Sequence, residues 1–167
     1  KGLSPKIINE IQALNKNEKE LFEKLVQKYR FNANKTLDQA DQIIEDCLQN
    51  NIQIINQNDK YYPKLLLNCI DRPHVIYQKG KRHINDIPCI SIVGTRNNTK
   101  YGLDITNQIV SKLNAYKVGI VSGLAYGIDI IAHRKAIDLN MPNFGVLGSG
   151  HLHIYPKNHQ KEIEEIL

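Results

Sequence analysis

Val118-Gly119-Ile120-Val121-Ser122-Gly123-Leu124-Ala125-Tyr126-Gly127-Ile128-Asp129 runs from a β-branched apolar segment, through a turn of small residues, into a helical pattern that continues to Leu139. The same grammar stands on either side. Cys89-Ile90-Ser91-Ile92-Val93 leads into Gly94-Thr95-Arg96, and Phe144-Gly145-Val146-Leu147 leads into Gly148-Ser149-Gly150. The turn glycines Gly94, Gly123 and Gly148 are 29 and 25 residues apart, about the length of one strand-plus-crossover unit. Leu103–Leu113 and Ile128–Leu139 supply the intervening helices, Asn140-Met141-Pro142 stops the second, and Asn158–Leu167 reads as a last, acidic one. Alternation of this kind predicts an α/β fold with a parallel sheet. The three turns then share the carboxyl edge of the sheet, where open α/β sheets bind ligands.

Outward toward the amino terminus the texture changes. Residues 4–49 read as helices: one opening at Ser4-Pro5, one over Asn17–Tyr29 with Leu21, Phe22, Leu25 and Val26 on a stripe, and one capped by Thr36 with Gln39 completing a capping box. The apolar face of the third is Leu37, Ala40, Ile43, Ile44, Cys47 and Leu48. Residues 50–88 hold two short strand candidates, Ile52–Ile55 and His74–Tyr77, around a polar turn. The expected organisation is a helical N-terminal domain over 1–50, a connector over 51–88 that packs on the sheet domain, and the first half of a Rossmann-like domain over 89–167. Three parallel strands are few for a class normally buried on both faces. That shortage, and a first residue that is Lys1, lead to the expectation of a processed or partial chain.

Bulk properties narrow the function classes. The 167 residues are 41% hydrophobic, and no apolar run approaches the ~20 residues of a membrane helix. Nor does the start pair a basic flank with an apolar stretch, as a signal peptide would. Three widely spaced cysteines, Cys47, Cys69 and Cys89, without a CxxC pair fit a reducing cytosol and no zinc knuckle. Net charge is +5, and residues 89–160 carry 7 Lys/Arg against 3 Asp/Glu. A polyanionic partner is permitted, not required. Gly145-Val146-Leu147-Gly148-Ser149-Gly150 is G-x-x-G-x-G, the reverse of the dinucleotide fingerprint, and no Walker lysine motif is present. No cofactor is expected.

Each turn has a chemical and a plain reading. Arg96 offers a planar fork suited to phosphate, or it pairs with a surface carboxylate. Ser122 can cap or donate from its loop. Gly123 and Gly127 free the backbone to approach an anion, or allow tight helix–sheet packing. Asp129 and His133 lie four apart on one helix face. They are an acid/base pair, or Asp129 holds the loop and His133 packs below it. His151 and His153 lack a third ligand at useful spacing, so no metal is assigned.

Val93-Gly94-Thr95-Arg96 with Tyr101-Gly102, then Ser122 through Asp129 with Ala132-His133, then Val146-Leu147-Gly148-Ser149-Gly150 and Tyr155-Pro156, together resemble the DprA/Smf family. Tyr62-Pro63-Lys64-Leu65-Leu66 and Pro73-His74-Val75-Ile76-Tyr77 resemble it too, so the likeness spans about residues 52–160. The resemblance implies an extended Rossmann-like domain in a bacterial, cytoplasmic protein of natural transformation. Such a protein binds single-stranded DNA, protects incoming strands, helps load the RecA recombinase and pairs as a homodimer at full length; it is not an enzyme. Carried over by motif, the DNA- or phosphate-binding positions are Gly94, Thr95, Arg96, Ser122, Gly123, Ala125, Tyr126, Gly127 and Asp129. Tyr126 stands where the family commonly has Arg, so a phosphate contact there is lost or replaced by stacking. On this reading Arg96 anchors a phosphate, and backbone amides at Gly94–Arg96 and Ser122–Gly127 hold its oxygens. The competing readings are a nucleotide-binding enzyme of the phosphoribohydrolase (lysine-decarboxylase-like) type, whose Pro-Gly-Gly motif and catalytic Glu the chain lacks, and a purely structural or partner-binding module.

Overall fold

A computed structural model of the chain describes residues 17–30, 32–151 and 154–167. The helix expected from Ser4-Pro5, and His153, lie outside the described residues. The chain divides into two compact units between Gln78 and Lys79.

In the first unit, helix α1 (Glu18–Tyr29) is capped by Asn17, whose side chain accepts from the Lys19 amide. Arg30, at φ 53°, turns the chain out of it. Helix α2 (Ala33–Gln49) begins a turn earlier than Thr36 suggested. Asn32 takes the cap by accepting from the Lys35 amide at 3.1 Å, and the Thr36 hydroxyl donates back to the Asn32 carbonyl at 2.9 Å. Two good capping residues competed, and the upstream one won because it adds a hydrogen-bonded turn. Of the apolar face read for α2, Cys47 is buried, whereas Leu37, Ile43, Ile44 and Leu48 are exposed. Strands β1 (Ile52–Asn56) and β2 (Val75–Lys79) form a two-stranded sheet. Between them Tyr62 is 1% exposed and donates its hydroxyl to the Pro73 carbonyl, which satisfies the one polar atom of a buried ring.

In the second unit, β3 (Cys89–Ser91), β4 (Gly119–Ser122) and β5 (Asn143–Gly145) form a parallel sheet in the order β3-β4-β5. Ile90 pairs with Ile120, which pairs with Asn143. The third strand ends two residues before Leu147. A side chain on Gly145 would collide with Leu124 of the neighbouring turn, and past the strand the Val146 amide still donates to the Ser122 carbonyl at 2.8 Å. Helices α3 (Lys100–Leu113) and α4 (Ile128–Asp138) pack together and onto the sheet. Val110, Ile120, Ala132 and Ala136 are fully buried beside Met141. The alanines let α3 and α4 approach closely, and each large aliphatic side chain buried here contributes about 1.5–3 kcal/mol. The last helix, α5 (Gln160–Ile166), starts after a 3-10 turn over Lys157–His159 rather than at Asn158. It packs Ile163 on Leu124 and Ile130. Arg134 on α4 ties down Glu162 on α5 at 2.7 Å. Burial of that carboxyl opposes its charge, but the guanidinium outweighs it and holds the pKa below the ordinary range. No helix among the described residues is long and apolar enough to cross a membrane.

Candidate functional site

Parallel pairing brings the first two turns together at the carboxyl edge of β3 and β4, and Asp129 ties them. It is the second residue of α4, 7% exposed. One of its carboxylate oxygens accepts from the Gly94 amide at 3.3 Å, the other from the Gly123 amide at 3.1 Å. Near a helix N-terminus, such a charge is stabilised by the dipole as well as by the two bonds. The tie is doubled by the backbone: Ile128, the first residue of α4, donates its amide to the Thr95 carbonyl at 3.1 Å. Three glycines make the approach possible. A methyl on Gly94 would strike Ile128 at 2.7 Å, and one on Gly123 would strike the Asp129 carboxylate at 2.8 Å. One on Gly127, at φ 80°, would land on the Thr95 carbonyl.

These contacts decide what each candidate can do. The amides of Gly94 and Gly123 are taken by Asp129, so they do not serve an anion. Ser122 is 2% exposed and turns its hydroxyl inward to the Ile92 carbonyl, extending the β3–β4 ladder. Each Asp129 oxygen accepts an N–H, so the carboxylate holds the two turns together. What remains open is the rim. Among the described residues, the amides of Thr95, Arg96, Leu124, Ala125, Tyr126 and Gly127 donate to no protein group. Arg96 is exposed, and among the described residues its guanidinium meets no carboxylate. The Thr95 hydroxyl accepts from the Asn97 amide and shapes the turn that carries Arg96. In the third turn a Cβ added to Gly148 or Gly150 would meet no other group within 4 Å, so neither glycine is required there by close packing.

Beneath the site, His133 is fully buried. Its Nδ1 lies 2.6 Å from the Asn143 Oδ1, while the Asn143 amide donates to the His133 carbonyl at 3.1 Å. With Asn143 oriented by that second bond, Nδ1 is the donor. Burial pushes the imidazole pKa below 6.5, against the opposing pull of Asn143, the Ser122 carbonyl and Asp129; His159 adds to the lowering. An unfolded chain therefore binds a proton near pH 6.5 that the folded chain refuses. Stability is fully present above that pH and falls as the pH drops toward the folded pKa. Unfolding midpoints in urea should decline from pH 7.5 to 5.5, and His133→Gln should flatten the decline. A decline equally steep in the variant would contradict this assignment.

Two contributors escaped the sequence pattern. Ile128 is the floor against which Gly94 and Gly102 pack. His159, 4% exposed, returns from α5's approach to place Nδ1 2.8 Å from the Leu124 carbonyl. No local spacing links residues 35 apart, so only the fold reveals that contact. Among the described residues no cluster of side chains could hold a metal ion.

Residues 35–167 match the family model of the DNA recombination-mediator protein A. The chain belongs to this family. It is 36% identical over 129 residues to the protein Smf of Synechocystis, covering 75% of this chain and 32% of that protein. With the DNA processing protein DprA of Bacillus subtilis it shares 37% identity over 107 residues, 64% of this chain and 36% of the relative. It thus spans about a third of the length of these curated relatives. The crystal structure of DNA processing protein A from Streptococcus pneumoniae superposes with a TM-score of 0.65 at 30% identity, over 69% of this chain and 40% of that one. The DNA processing protein A of Helicobacter pylori, studied for its single-stranded DNA binding mode, does so with a TM-score of 0.56 at 30% identity, over 69% and 51%.

Proposed function

We propose that this chain binds single-stranded DNA through the rim of the two joined turns. The observation that carries the reading is the division of labour there: Asp129 consumes the inner amides, while six outer amides and the Arg96 guanidinium have no protein partner among the described residues. Unpaired N–H groups at a sheet edge and helix N-terminus are suited to phosphate oxygens. Arg96 adds a two-donor fork and a full charge. The Helicobacter pylori relative's single-stranded DNA binding supports the choice of ligand. The task is one of binding and not of catalysis, because Asp129, the acid/base candidate, already holds backbone amides. For the whole protein we extend the reading to protection of incoming strands in natural transformation, RecA loading, homodimer formation and a cytoplasmic location.

Fluorescence anisotropy with labelled oligo-dT across a salt series tests it. Affinity should fall with salt as counterions are released, and Arg96→Ala should weaken binding while reducing the salt slope by about one. An unchanged affinity and slope in Arg96→Ala would refute the assignment.

A further inference from the structure

Beside the open amides stands an aromatic group that phosphate binding does not use. Tyr126 projects from the turn itself and is 40% exposed; Tyr155 is 69% exposed. Their rings meet edge-to-face, with centroids 6.4 Å apart and planes at 89°. Tyr126 also leans on the His159 imidazole, at 5.0 Å and 70°. His159 is in turn pinned by its bond to the Leu124 carbonyl. We infer that Tyr126 and Tyr155 form a stacking subsite for a nucleobase of the bound strand. This rests on the DNA-binding reading above and goes past it by naming what the strand presents besides phosphate.

Three features carry the inference. Despite these ring contacts both tyrosines stay exposed, so the pair keeps apolar ring surface open to solvent. His159, buried and hydrogen-bonded to the Leu124 carbonyl, backs the Tyr126 ring, which reduces the rotamer freedom lost when a base docks. The position also suits a strand: Gly127, next to Tyr126, lies against the backbone of Arg96. A phosphate at Arg96 therefore places the adjoining nucleotide within reach of the tyrosines. Every base has a π-face, so such a subsite is tolerant of sequence.

The test compares oligo-dT with an abasic deoxyribose-phosphate strand of equal length on the full chain. Wild type should bind oligo-dT about ten-fold more tightly, the scale of one stacked base. Tyr126→Leu and Tyr155→Leu should each erase most of that preference, and Tyr126→Phe should retain it. Arg96→Ala should weaken both strands and keep the preference. Tyrosine emission should be quenched by oligo-dT and not by the abasic strand, a readout on wild type that is independent of variant folding. Equal affinity of wild type for both strands, or a preference that survives both leucine variants, overturns the stacking subsite alone. Failure of wild type to bind either strand overturns the DNA-binding reading, and this inference with it.

Discussion

Gly127→Ala is expected to lower the unfolding midpoint of the sheet unit by roughly 15 °C and to abolish oligo-dT binding. Two separate costs meet at this residue. Its backbone sits at φ 80° and ψ −129°, a region that a residue with a Cβ enters at about 1–3 kcal/mol. The added methyl would also coincide with the Thr95 carbonyl and lie 2.7 Å from the Arg96 carbonyl carbon and oxygen. Backbone atoms cannot swing aside as a side chain could. The turn carrying Arg96 must therefore separate from the turn carrying Tyr126, breaking the bond from the Ile128 amide to Thr95. Together these costs reach about 3 kcal/mol or more. Thermal unfolding followed by circular dichroism, paired with an anisotropy titration, checks both halves. A variant that melts within a few degrees of wild type would show that the turns are not pressed together as described.

Asp129→Asn should be almost as damaging, although it changes no volume. The carboxylate accepts one N–H on each oxygen. An asparagine keeps one acceptor and turns its NH2 toward the other donor, leaving that amide unsatisfied at a buried site. Losing a charged acceptor in this way costs about 1.5–3 kcal/mol. Hydrogen exchange locates the damage. The amide that faces the new NH2, Gly94 or Gly123, should exchange much faster than in wild type. Amides in the middle of α3, distant from the tie, should follow only the global loss of stability. DNA affinity should fall with the tie, because the outer amides no longer share one rim. If both glycine amides kept wild-type protection in Asp129→Asn, the tie would be refuted.

Much of this architecture was legible in the chain because it rests on short-range rules. Apolar runs ending in Gly94 and Gly123 announced strands meeting turns, and the 29-residue interval between these glycines announced a crossover. Asp129 at a helix start carried both of its candidate roles in the open, and the carboxylate's two bonds to the turn amides favour the holding role. Less legible was which way polar groups face. Ser122 reads as a loop donor, yet strand pairing turns it toward Ile92. The α2 start was misplaced because Asn32 and Thr36 both suit a cap, and the choice depends on which adds a turn. The need for glycine at Gly145 comes from Leu124 lying over it, a contact 21 residues apart in the chain. His159 under Tyr126 is of the same kind: long-range packing, which no local pattern encodes.

Amide chemical-shift mapping of the isotope-labelled chain, titrated with oligo-dT at low salt, tests the central claim most directly. The largest shifts are predicted at Thr95, Arg96 and Leu124 through Gly127, with Gly94 and Gly123 held to smaller changes by Asp129. Saturable shifts that cluster elsewhere, such as on α1 and α2, while the two turns stay still would contradict it.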